Sequence, residues 1–169
     1  MVMPSLKRLV QHGLVSDWQR RKLFSASALS HIEQAIRDCE SQHAGEIRFA
    51  VETALPFSAL WKNQSARSRA IEVFAREHVW DTAHNNGVLI YLLLAERDVE
   101  IIADRGVGNA RVDPAEWEAC CHIMETYFRQ GAFETGSIAG IRAVAAVLAR
   151  HPPAQLDVGN EMPNQPLML

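Results

Sequence analysis

Two short loops hold most of the side chains in this sequence that could do chemistry. The first is His84-Asn85-Asn86-Gly87 and the second is Asp104-Arg105-Gly106-Val107-Gly108, with Arg111 shortly after. Histidine titrates near neutrality, so His84 could serve as acid or base beside Asp104 if the two loops meet at one sheet edge. Gly106 and Gly108 let backbone amides converge, and Arg105 and Arg111 offer forked donors matched to phosphate or carboxylate. A helix begins just beyond them and adds its positive end, so the pair of loops, with Asn85 and Asn86 as amide partners, suits an anionic ligand. Asp113 at the start of that helix competes for the same end. Gly-x-Gly alone is a weak signal, and neither a full dinucleotide fingerprint nor a P-loop accompanies it, so no nucleotide is inferred. The plainer alternative is that Asn85, Asn86 and Asp104 merely satisfy turns through bonds to the backbone, with His84 exposed on a loop.

The elements that must position these loops follow from periodicity. Leu29, Ile32, Ile36 and Cys39 recur at helical spacing behind a Ser30–Glu33 capping box, and Gly45 should end that helix. In "EIRFAVET", Ile47, Phe49 and Val51 alternate with Glu46, Arg48 and Glu52, which predicts a strand with one apolar face and one solvated or cross-strand charged face. A second helix is expected over 65–79, with Ala70, Ile71, Phe74 and Ala75 turned inward and His78 on the same stripe. Asn86-Gly87 signals a turn, "VLIYLLLA" a strand buried on both faces, "ERD" a reversal, and "VEIIA" a further strand. Strand, crossover helix and buried strand imply a right-handed parallel unit, to which the last strand adds antiparallel. Asp113, Pro114 and Glu116 then open a third helix as N-cap, N1 and N3, with Trp117, Cys120, Cys121, Met124 and Phe128 on its buried face. Gly131 breaks the chain before a fourth helix, about 134–150, carrying Ile138, Ile141, Ala145 and Leu148 inward.

The order of these segments resembles the TPM domain, the family of thylakoid acid-phosphatase-like and bacterial envelope proteins. The resemblance runs from about Ala44 to Arg150, and it rests on Asn-Gly before a buried strand, Gly-x-Gly after its hairpin partner, and "YFRQGAFETG" between the last two helices. It implies a three-layer α/β/α sandwich, a small mixed sheet with helices on both faces. Some relatives are phosphatases or calcium-binding modules, and others have no known activity. The chain also departs from the family. Where relatives commonly read Asp-Asn-Gly, this one reads Asn85-Asn86-Gly87, and where they carry an acid just after Gly-x-Gly it reads Asn109-Ala110-Arg111. Asp104 stands where relatives often have Glu.

The resemblance would make Asp104 and Asn85 metal ligands for calcium or magnesium. Calcium wants about six to eight oxygens, several of them charged. One Asp and two Asn side chains are a thin set, and Arg105 and Arg111 would repel a cation nearby. The expectation is therefore a module that binds an anionic ligand or a protein partner with little or no catalysis. The alternatives are a metal-dependent phosphatase that uses Asp104 and the Asn pair, and an adaptor recruited by its N-terminus to a membrane surface or envelope complex.

Composition narrows the classes further. A chain of 169 residues, 48% hydrophobic, has room for one ordinary domain with tails. The formal charge of −3 and the lack of a basic stripe with interleaved aromatics argue against nucleic acid. Cys39, Cys120 and Cys121 form no spaced pairs, which fits reduced thiols in the cytoplasm, and no export signal is visible. The thiols at 120 and 121 fit the core stripe and carry no nucleophilic role. Within residues 1–22, Lys7, Arg8, Arg20, Arg21 and Lys22 oppose only Asp17, a net +4, so the remainder carries −7 of the total −3. The sequence thus divides into a basic arm over 1–26, weakly amphipathic through Leu6, Leu9, Val10 and Leu14, a TPM-like domain over 27–151, and a flexible tail over 152–169.

Overall fold

The computed structural model describes residues 5–108, 111–152 and 159–169. Three helices come first: α1 (Leu6–Leu14), α2 (Asp17–Leu23) and α3 (Ala26–Glu40). The chain then forms β1 (Glu46–Glu52), the short α4 (Phe57–Trp61) and α5 (Ala66–Arg76). The hairpin β2 (Gly87–Leu93) and β3 (Asp98–Ala103) follows, then α6 (Pro114–Arg129), α7 (Phe133–Arg150) and β4 (Leu167–Met168). The strands form one mixed sheet in the order β3-β2-β1-β4, with β1 parallel to both β2 and β4 and β3 antiparallel to β2.

Side-chain alternation splits the core into two layers, because successive residues of a strand point to opposite faces. Ile47, Phe49 and Val51 of β1 and Val88, Ile90 and Leu92 of β2 join the cluster built with α3, α6 and α7. Ala50, Leu89, Tyr91 and Leu93 join the cluster built with α4 and α5. Helices therefore cover both faces of a mixed sheet, as an α/β/α sandwich requires. Every residue of β2 is buried, which explains its unbroken apolar run. Helices α6 and α7 approach closely where Gly140 leaves no room for a Cβ against the Met124 side chain.

Several local expectations are corrected. The N-cap of helix α3 lies five residues before Ser30, at Ser25, whose hydroxyl accepts from the Ala28 amide at 3.2 Å. Phe24, just before the cap, is buried in the cluster that also takes Leu29, so an apolar anchor sets where the helix begins. The helix ends at Glu40 rather than at Gly45, whose lack of a side chain instead admits Leu148. Helix α5 buries Ala66, Ala70 and Val73, while Ile71 is exposed and His78 lies beyond the helix with φ of 54°.

The charged face of β1 is the largest correction, for Glu46, Arg48 and Glu52 are all buried. Each is neutralised or bonded: Glu52 takes Arg69 Nε and Nη2, each at 2.9 Å, and the Tyr91 hydroxyl at 2.6 Å. Arg48 Nη1 donates to the carbonyls of Pro163 at 2.9 Å and Gln165 at 2.6 Å, and Glu46 accepts from the Met162 amide at 3.2 Å. The segment expected as a flexible tail supplies the partners of Arg48 and Glu46. Residues 153–158 of it lie outside the described residues, but 159–169 pack against the sheet. Met162 is buried, Asn164 Nδ2 reaches Glu40 at 2.7 Å, and Leu167–Met168 pair with Ala50 and Val51 as β4. Buried charges on β1 require partners, and this segment brings backbone carbonyls to Arg48 and an amide to Glu46.

Candidate functional site

The His84–Gly87 and Asp104–Gly108 loops do meet, at the sheet end where β1 and β2 begin and β3 finishes. Their joints are mainly backbone: Asp104 N donates to Gly87 O at 2.9 Å and Gly106 N to Asn85 O at 2.8 Å. A Cβ on Gly106 would collide with the carbonyl oxygens of His84 and Asn85, so glycine is required for this approach. Asn85 adopts φ of 52°, a left-handed conformation that Asn tolerates, and its Oδ1 accepts from Arg105 Nε at 3.0 Å. Asn86 is buried, with its amide NH2 on the carbonyl of Ala44 and its backbone N–H on Thr82 Oγ1 at 3.0 Å. It thereby ties the β2 loop to the loop before β1. These are turn-satisfying roles.

The anion cradle fares differently from its expectation. The Gly106 amide is spent on Asn85, the Arg105 amide on Asp104 Oδ1 at 2.7 Å, and the Val107 amide on Asp104 O at 3.0 Å. Asp113 caps α6 by accepting from the Ala115 amide at 2.9 Å. The amides of Arg105, Gly106 and Val107 are thus engaged within the protein, and the Asp104 carboxylate stands among them. Arg105 and Arg111 remain exposed, while Gly108 is buried. Asn109 and Ala110, where a family acid is replaced, lie outside the described residues.

Two oxygens at this junction are buried without a hydrogen-bond partner among the described residues, Asn86 Oδ1 and Asp104 Oδ2. They are what the loops could offer a cation. Among the described residues no group of three or more His, Cys, Asp or Glu side chains is placed to hold a metal. One carboxylate oxygen and one amide oxygen, with the Arg105 guanidinium on neighbouring Asn85, do not meet the demand of calcium or magnesium for several charged ligands. The residues present do not fit a tight metal centre.

Sequence reasoning missed two participants. Glu161 comes back from the C-terminal segment to accept from the Ala83 amide at 3.0 and 3.2 Å, beside His84. Nothing local in the sequence signals this, since the partners are 78 residues apart. The second is a groove of about 850 Å³ that begins at Arg105 and Gly108 and runs along β3 between α5 and α6. Its walls include Arg67, Ile101, Trp117, Glu118, Cys121 and Glu125. Because Asp104 bonds to Gly87, alternation turns the backbones of Ile102 and Glu100 toward β2 and those of Val99, Ile101 and Ala103 outward. Strand β3 is the sheet edge, and of these outward groups the Ile101 carbonyl accepts from Arg67 Nη1 at 2.9 Å.

The groove carries charge of both signs, with Arg67 on Glu100 at 3.0 Å and His122 on Glu125 at 3.2 Å. Burial, then Glu100, Glu125 and Glu96, push Asp98 at the head of β3 up to about 6. Burial and nearby carboxylates push the Cys121 thiol up to about 12, and burial pushes Cys120 up to about 11, so neither is a thiolate nucleophile at neutral pH.

Comparison with known proteins agrees with this geometry. The NMR structure of BA42 from the psychrophilic bacterium Bizionia argentinensis superposes with a TM-score of 0.74 at 30% identity, covering 86% of this chain and 94% of that one. The N-terminal domain of a P. gingivalis protein gives 0.56 at 20% identity, covering 92% and 99%. The N-terminal domain of cg2496 from Corynebacterium glutamicum gives 0.54 at 14%, covering 81% of each. These last two show likeness of fold alone. Among curated proteins none matches. The family model described as TPM domain matches residues 19–147, most of the chain, and this protein therefore belongs to the TPM domain family.

Proposed function

We propose that this TPM domain is a binding module with little or no catalysis, and that it takes a protein partner as an extended segment laid beside β3. The observation that carries this reading is the sheet edge, where the outward backbones of Val99, Ile101 and Ala103 line a groove of about 850 Å³. An edge strand beside a groove is a template for strand addition, with backbone bonds giving affinity and alternate side chains giving selectivity. Arg67 already holds Glu100 at 3.0 Å and His122 lies on Glu125 at 3.2 Å, so Glu118 is the groove carboxylate that would meet a basic residue of the segment. The anionic-ligand version has weaker support, because the loop amides are engaged and Asp104 adds a negative charge. The phosphatase version finds no group of carboxylates placed to hold its metal among the described residues.

The test is a titration of the isotope-labelled full chain with a capped peptide of alternating threonine and lysine, followed by amide chemical shifts. Perturbation and slowed exchange at Val99, Ile101 and Ala103 are expected, with loss of binding when glutamate replaces lysine. Ala103→Pro should weaken binding, since it removes one outward donor and no β2 ladder bond. If inorganic phosphate perturbs the Asn85 and Arg105 amides while the peptide is silent, the ligand is the anion. Metal-dependent hydrolysis of a generic phosphate ester that is lost in Asp104→Ala would overturn the non-catalytic reading.

A further inference from the structure

The N-terminal helix α1 is docked by its polar side. Arg8 donates to Glu96 at 2.7 Å, to Asn63 at 3.2 Å and to the Gln64 carbonyl at 2.6 Å. His12, four residues on, is buried between the Leu55 amide at 3.0 Å and Glu96 at 2.7 Å. Leu6, Val10 and Leu14, also four apart, form a stripe on the opposite side and are 78%, 50% and 70% exposed. Docking that served the protein's own core would turn those side chains inward. Here the helix is held to the domain by charge, hydrogen bonds and the packing of Leu9, and the stripe of Leu6, Val10 and Leu14 is presented outward.

We infer that this stripe is the membrane-facing side of the protein, and that α1 and α2 lie in the plane of an anionic bilayer surface. Charge selects this occupant. Arg8 and His12 are spent on Glu96, whereas Lys7, Arg21 and Lys22 are exposed. Asp17, the single acid of the two helices, is engaged by Arg20 at 3.5 Å and Thr53 at 3.2 Å. Trp18 is 69% exposed with the Lys22 ammonium 5.4 Å from its ring centroid, a pair suited to headgroup depth. An apolar stripe bordered by lysine and arginine is the pattern of helices that lie in the interface. No helix among the described residues is long and apolar enough to cross a membrane, so the contact is peripheral.

The test is cosedimentation of the full chain with phosphatidylcholine vesicles, with and without about one third phosphatidylglycerol. Binding to the anionic vesicles is expected, at least about tenfold weaker to neutral vesicles and at high salt. Val10→Asp should weaken it by about tenfold or more with an unchanged thermal melt, and Lys22→Glu should weaken it without touching the stripe. A blue shift of tryptophan fluorescence on anionic vesicles should vanish in Trp18→Phe. Failure to bind anionic vesicles, or binding undiminished in Val10→Asp, overturns the inference. So does a concentration-dependent dimer, seen by ultracentrifugation without lipid and abolished by Val10→Asp, which would assign the stripe to a second copy.

Discussion

At the sheet end where β1 and β2 begin, the joints are made mostly by the backbone; at the end where they finish, side chains make them. The first end is closed by Gly106 N on Asn85 O and Asp104 N on Gly87 O, and its few polar side chains serve the turns. At the second, His12 and Arg8 converge on Glu96, Thr53 reaches Asp17, and Glu52 holds Arg69 and Tyr91. Open α/β sheets commonly bind ligands at the carboxyl ends of their parallel strands. Here that end is occupied by the protein's own N-terminal helix. The opposite end leads into the groove along β3, which is where we propose the partner segment lies.

The comparison can be broken most strongly at Glu52. Glu52→Ala leaves Arg69 and the Tyr91 hydroxyl without their shared acceptor, and urea denaturation should show a loss of about 3–5 kcal/mol. At the backbone end, Gly106→Val drives a side chain into two carbonyl oxygens, and a loss of about 2–3 kcal/mol is expected in the same assay. His12→Ala unties α1 and leaves the buried Leu55 amide without its acceptor, which should cost about 1–2 kcal/mol and speed protease cleavage within residues 5–22.

The smallest effect sharpens the contrast instead. Glu96 has Arg8 and His12 as partners, whereas Asp98, two residues along, is half-buried among carboxylates and raised to about 6. Its folded form holds a proton that the unfolded form has already released, so stability falls as pH rises from the ordinary 3.8 to about 6. Asp98→Asn should therefore raise the melting midpoint at pH 7, by about 1 kcal/mol in stability. That gain should shrink below pH ~6 and vanish below pH ~4.

The sheet and its loops were legible because local chemistry dictates them. Asn86-Gly87, the unbroken Val88–Ala95 run and the Asp113-Pro114 cap each act over a few residues, and each lies where periodicity places it. The junction of the two loops was foreseeable from the hairpin, since β2 starts and β3 ends at one edge. What was not legible depends on distant residues. Alternation marked Glu46, Arg48 and Glu52 as one face but could not reveal that a segment more than a hundred residues later would cover it. The same holds for the anion cradle. Glycines and arginines announce available donors, and only the fold shows that the amides of Arg105, Gly106 and Val107 already have acceptors.

Strand β4 has a consequence for assembly. By lying against β1, with Leu169 N on Val51 O at 2.8 Å, it occupies the rim that would otherwise mirror β3. A layer with two bare rims can add copies head to tail without limit. With one rim filled by the chain itself, two copies joined β3 to β3 would close as a pair and leave no second rim on which to grow.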